Sequence, residues 1–149
     1  RVNAFERGIL IGNLTSQLFA NIYLNELDQY LKHKLKVKHY IRYADDFVIL
    51  NSSRCYLVEL VPKIESFLLL KLKLKIHSKK IIIKTVSSGV DFLGWINFPD
   101  HRVLRTTTKK RMIRKIKLDP TQETTNSYLG LLKHGNTRKI VNAHFEKPS

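Results

Sequence analysis

Asp45 and Asp46 are the residues of this chain best suited to chemistry. They sit side by side in Tyr40-Ile41-Arg42-Tyr43-Ala44-Asp45-Asp46-Phe47-Val48-Ile49-Leu50, between two apolar, β-prone runs. Such a string predicts strand, turn and strand, with the acids at the bend. Divalent cations that prefer oxygen ligands need clustered carboxylates, and a hairpin supplies that cluster without flexible arms. Side chains alternate across a strand, so neighbouring acids serve one site only where the chain turns. A surface hairpin with a polar tip is the competing description of the same residues. Elsewhere the pattern is poor in chemistry. His33, His39, His77 and His101 lack metal-ligand spacing, Cys55 has no second cysteine to join, and no zinc site or Ser-His-Asp arrangement stands out.

Helices must hold that hairpin. A helix is predicted from Asn13, with Leu14, Leu18, Ile22, Leu27 and Leu31 along one face and Asn13 or Thr15 as its cap. A second is predicted over 54–71, with Leu57, Leu60, Val61, Ile64, Phe67, Leu68 and Leu72 as its buried stripe. Pro62 should kink it or start its second part. The period then changes. Leu72, Leu74 and Ile76 alternate with Lys73, Lys75 and His77, which predicts a half-buried strand. Ile81-Ile82-Ile83, Val90 to Ile96 and Arg102-Val103-Leu104 are further candidate strands, with turns at Ser87-Ser88-Gly89 and Pro99-Asp100. From Thr107 a basic helix is expected, carrying Lys109, Lys110, Arg111, Arg114, Lys115 and Lys117 and ended by Pro120. Short helices over 121–133 and 136–145 follow. The fold class is therefore α+β: an antiparallel sheet packed on helices over 1–105, then a small basic helical segment over 106–149. No internal repeat or low-complexity tract interrupts it.

With 149 residues the chain is long enough for a real core. Lys and Arg number 27 against 12 Asp and Glu, a formal net charge of +15. That excess attracts polyanions and points towards nucleic acid. Anionic membrane surfaces would attract it too, and a solvated basic surface without a partner is the plainer alternative. No apolar run approaches the roughly 20 residues that span a bilayer, and no signal-peptide pattern opens the sequence. The lone cysteine fits a reducing compartment, so a cytoplasmic protein without membrane association is expected.

The segment around Tyr43-Ala44-Asp45-Asp46 resembles the Tyr-x-Asp-Asp box of reverse transcriptases. Three further blocks resemble the same family, in family order. Gly8 to Asn21, with Gly12 before a helix, is similar to the block preceding the catalytic hairpin. Leu72 to Lys80 is similar to the block two elements later. Phe92-Leu93-Gly94-Trp95 is similar to the block that grips the primer end. Ile11-Gly12 and Ser16-Gln17 stand where group II intron enzymes usually have Gln-Gly and Ser-Pro. That variant looks like the reverse transcriptases of diversity-generating retroelements, although Leu10 replaces their usual Pro. Ser127 to Asn136 looks like the start of the thumb in those enzymes.

The resemblance implies an RNA-directed DNA polymerase palm over 1–105 and a thumb start over 106–149. It implies Mg2+ held by Asp45, with Asp46 as a weaker or indirect ligand, and two-metal phosphoryl transfer. Lys80 would protonate the departing pyrophosphate; phosphate contact or solvated charge is its alternative, given Lys71, Lys73, Lys75, Lys79 and Lys84 nearby. Ile11, Gly12, Asn13, Ser16, Gln17, Tyr43 and Ala44 would line the nucleotide and template. Phe92, Leu93, Gly94 and Trp95 would touch the primer, or else form a core strand with a glycine bulge. Partners would be an RNA template, the primer–template duplex, deoxynucleotides and an accessory protein of the kind such retroelements often use.

The family carries another metal-binding Asp on an earlier palm strand, and Glu6, the one acid before Gly12, does not resemble it. This chain alone is therefore expected to bind metal weakly, not to polymerise, and to expose apolar palm surface. A group II intron or retron-like enzyme, and a non-catalytic basic RNA-binding fragment, remain the other readings.

Overall fold

A computed structural model describes residues 14–145, which form two compact units divided between Ile83 and Lys84. The first unit opens with α1 (Leu14–Gln29), which continues as a π-helical turn over Tyr30–Lys34. Strands β1 (His39–Tyr43) and β2 (Asp46–Leu50) follow, then α2 (Arg54–Leu72).

Each element has a local cause. The wide turn ends where the Leu35 N–H donates to the Tyr30 carbonyl at 3.0 Å and the Val37 N–H to the Leu31 carbonyl at 2.9 Å. Ser53 caps α2, its hydroxyl accepting the Tyr56 N–H at 3.2 Å. Pro62 does not divide the helix, which runs through it as one element with the ring exposed. α2 stops at Lys73, whose φ of 52° lets the Leu74 N–H reach back to the Leu68 carbonyl at 3.0 Å.

The core of this unit joins Leu27 and Leu31 of α1, Val37, and Leu60, Ile64, Leu68 and Leu72 of α2. Tyr40, Phe47 and Ile49 bring the hairpin onto it. Tyr30 stacks on Phe67 with centroids 4.1 Å apart, and the Tyr23 hydroxyl donates to the Leu72 carbonyl at 2.5 Å, so the C-terminal part of α2 is fastened to α1 and its π-helical extension.

Three expectations are corrected here. Leu18 and Ile22 are 57% and 59% exposed, because the described core gathers round the C-terminal half of α1 only. Leu72 to Ile76 forms no strand; its alternation is the tail of a helix stop. Ile81-Ile82-Ile83 likewise forms no strand, since none of the described strands pairs with it.

The second unit begins with an antiparallel meander of β3 (Val90–Phe92), β4 (Trp95–Asn97) and β5 (Arg102–Leu104). Helices α3 (Thr106–Leu118), α4 (Gln122–Leu132) and α5 (Arg138–His144) complete it. Trp95, Leu104, Met112 and Leu132 form one core, so the sheet shares its interior with the helices. Thr121 caps α4 through the Thr124 N–H at 3.3 Å. The Asn136 N–H donates to the Arg102 carbonyl at 2.8 Å, and the Thr137 hydroxyl to the Leu132 carbonyl at 2.6 Å. Those bonds fix the α4–α5 corner against β5. A Cβ at Gly135 would collide with the Trp95 ring, so the corner requires glycine. The architecture is α+β with small antiparallel sheets, as the sequence implies.

Candidate functional site

The hairpin register is His39↔Leu50, Tyr40↔Ile49, Ile41↔Val48, Arg42↔Phe47 and Tyr43↔Asp46. Alternation therefore puts Tyr40, Arg42, Phe47 and Ile49 on the face towards the core. Ile41, Tyr43, Asp46 and Val48 share the other face, and Ile41 and Tyr43 are largely exposed there. Ala44 and Asp45 make the two-residue turn. Ala44 has a φ of 52°, a conformation that costs a residue with a side chain roughly 1–2 kcal/mol.

Arg42 meets that cost. Its Nη1 donates to the Ala44 carbonyl at 2.9 Å and to Asn21 Oδ1 at 3.0 Å. Its Nε and Nη2 donate to the two oxygens of Asp28 at 2.8 and 2.6 Å, a planar two-point pair. The Tyr40 hydroxyl also donates to Asp28, at 2.6 Å. The Arg42 side chain is 10% exposed and that of Asp28 22%, so water screens the pair little. Hydrogen bonds from Arg42 hold the Asp28 carboxyl below its ordinary range, against burial, which pushes it up. Burial, and then the bond to Asp28, push the Tyr40 hydroxyl well above its ordinary range. The Arg42 guanidinium is pushed up in turn by its bonds to Asp28.

Asp45 and Asp46 are both exposed, and neither carboxylate makes a hydrogen bond or ion pair among the described residues. Both carboxylates are thus available to a ligand. Magnesium takes one or two carboxylates and keeps waters or phosphate oxygens in its remaining positions. The pair fits that demand in part: among the described residues, no group of three His, Cys, Asp or Glu side chains could hold a metal.

Ile11, Gly12 and Asn13 lie outside the described residues. Ser16 and Gln17 fall in the first turns of α1, and Gln17 is exposed. Lys80 ends a short 3-10 turn, Ser78–Lys80, in the same unit as the hairpin, with its ammonium exposed and unpaired among the described residues. Phe92 to Trp95 belong to the second unit. They are neither one strand nor a bulge: Leu93 and Gly94, with φ of 54° and 82°, are the two-residue turn between β3 and β4. Leu93 projects 48% exposed, while Trp95 is buried beneath the Arg102 guanidinium, 5.1 Å from its ring centroid.

Sequence reasoning passed over Asp28, Asn21 and Arg42. The signal for Arg42 was present: strand alternation sets it on the same face as Tyr40, and an inward arginine needs a partner. Nothing marked Asp28 or Asn21 as that partner.

On α3, Met112 is buried while Lys110, Arg111, Arg114, Lys115 and Lys117 are exposed. Of these, Lys115 alone forms an ion pair among the described residues, with Asp119 at 2.9 Å. No helix among the described residues is long and apolar enough to cross a membrane.

The hairpin thus presents two exposed carboxylates beside a turn braced by Arg42, in a chain with a formal net charge of +15. The family described as "Reverse transcriptase (RNA-dependent DNA polymerase)" matches residues 2–97, well over half the chain, and the chain belongs to that family. Its members are RNA-directed DNA polymerases, transferases that generally use magnesium. No curated protein matches the sequence.

Proposed function

We propose that this chain contributes the catalytic hairpin of an RNA-directed DNA polymerase of the diversity-generating type, which extends a primer 3′ end with deoxynucleotides. The reading is carried by one observation: two exposed, uncommitted carboxylates at a turn that an inward arginine fixes. Asp45 is the principal metal ligand and Asp46 the weaker one. When bound, magnesium would supply the positive charge that acidifies the primer hydroxyl and offsets charge on the departing pyrophosphate. Lys80 donates a proton to that pyrophosphate. Tyr43 and Ala44 border the nucleotide; Ile11, Gly12, Asn13, Ser16 and Gln17 border nucleotide and template, with base selection relaxed at Ile11 and Gln17. Leu93 and Gly94, at an exposed turn, touch the primer, with Phe92 and Trp95 supporting them from behind. In this reading residues 1–105 act as palm and 106–149 as the beginning of the thumb, although β3 to β5 share a core with the thumb helices. The protein works in the cytoplasm with an RNA template and an accessory protein.

Binding RNA without catalysis is the second reading. It is favoured by the net charge of +15 and by the absence, among the described residues, of a third metal-ligating side chain beside Asp45 and Asp46. Primer extension on an RNA template, by the gene product that carries this chain, separates the two. Magnesium-dependent extension that Asp45→Ala abolishes supports the polymerase. Duplex binding that Asp45→Ala leaves intact, with no extension by the unaltered protein, supports the binding module.

A further inference from the structure

We infer that Arg42 is a positioning residue that sets the Ala44–Asp45 turn from helix α1, so that the hairpin carboxylates and the α1 helix move as one piece. The inference rests on the reading of Asp45 and Asp46 as metal ligands only for its consequence, not for its geometry.

The argument is one of donor count. A guanidinium has five N–H groups, and here four are committed: two to Asp28, one to Asn21 and one to the Ala44 carbonyl. Asn21 and Asp28 are seven residues apart on α1, about two turns, and so lie on one face. Arg42 bridges that face and the turn in a single rigid plane. A lysine has three donors radiating from one atom. It can take one Asp28 oxygen or the Ala44 carbonyl, but cannot span both with two-point geometry. The turn needs such help, because Ala44 holds a positive φ without being glycine.

The bridge also has a direction. Asn21 lies one helical turn beyond Gln17, on the helix that by resemblance meets nucleotide and template. A displacement of α1 is therefore passed through Asn21, Asp28 and Arg42 to the carbonyl immediately before Asp45. Tyr40 adds a third hydrogen bond to Asp28 and keeps that carboxylate oriented when Arg42 pulls on it.

The test uses the 149-residue chain in solution with Arg42→Lys, Asp28→Asn and Asn21→Ala. Two readouts are taken: the intraresidue HN–Hα NOE of Ala44, strong when φ is positive, and Mn2+ broadening of the Asp45 and Asp46 amides. Arg42→Lys is expected to keep the fold by circular dichroism, to weaken the Ala44 NOE, and to weaken Mn2+ binding about tenfold, the lower end for losing a group that orients a metal ligand. Asn21→Ala is expected to give a smaller change of the same kind. An Arg42→Lys protein with the unaltered NOE and Mn2+ affinity overturns the inference and leaves Arg42 a structural ion pair. If Arg42→Lys does not fold, Asp28→Asn and Asn21→Ala decide it on the same readouts. If the turn responds but the unaltered chain binds no Mn2+, positioning stands and the metal reading of this chain falls.

Discussion

Asp28 is shared by a guanidinium and a phenol, and its titration reports the health of the whole brace. Its carboxyl is held low in the folded protein by Arg42, relative to an ordinary aspartate near pH 3.9 in the unfolded chain. The unfolded state therefore binds the proton first. The stabilisation is complete above the unfolded value and disappears as pH falls through the lower, folded one. Urea denaturation between pH 7 and pH 2 should show this acid loss in the unaltered chain and a shallower one in Asp28→Asn. Arg42→Ala, which strands a half-buried carboxylate, should cost about 1.5–3 kcal/mol at neutral pH, the range for hydrogen bonds to charged groups. Asp45→Asn presents the contrasting case. Its side chain is exposed and has no partner among the described residues, so unfolding should shift by no more than about 0.5 kcal/mol. Mn2+ broadening at the turn should nevertheless fall sharply. Large stability loss at Arg42 and none at Asp45 is the signature of a brace and the group it serves.

The β3–β4 hairpin breaks a local rule. Two-residue turns with both φ values positive favour Asn-Gly, yet Leu93 stands first. Leu93→Asn should raise stability by about 0.5–1 kcal/mol, because asparagine tolerates that conformation and little packing is lost at an exposed tip. A higher melting temperature together with weaker primer–template binding would assign the leucine to contact rather than to folding. The same residue explains why Phe92 to Trp95 reads as continuous strand in the sequence: a leucine conceals the turn. Legibility elsewhere followed the period. Leu57, Leu60, Val61, Ile64, Phe67, Leu68 and Leu72 gave α2 its stripe, and none of them is exposed. Tyr40 to Leu50 gave the hairpin and its acids. Leu72 to Ile76 misled, because a left-handed stop at Lys73 and a short strand produce the same alternation. Leu18 and Ile22 misled because periodicity shows that a helix has an apolar face but not how far its partners reach. The Asp28–Arg42 pair was hidden for another reason: it spans 14 positions, and pattern alone does not disclose which polar residues of two elements will meet.

Charge acts on the molecule as a whole, and a net +15 is too large to serve only the ion pairs that Lys and Arg make here. If α3 lies along a phosphate backbone, as a thumb would, its free cations release counterions on binding. The logarithm of the binding constant then falls with the logarithm of salt by about 0.9 for each duplex phosphate neutralised. Replacing Lys110, Arg111 and Arg114 by glutamine should lower duplex affinity at every sequence and reduce that slope by about 2–3. All three are exposed and have no ion-pair partner among the described residues, so the melting temperature should hardly change. Fluorescence anisotropy of a labelled RNA–DNA duplex across a salt series measures both quantities. Asp45→Asn in the same series should leave the slope alone, because on the proposed reading it alters a cation ligand and not a contact to phosphate. An unchanged slope in the triple variant would instead place the duplex on other cations, and the thumb role of α3 would fall without touching the hairpin.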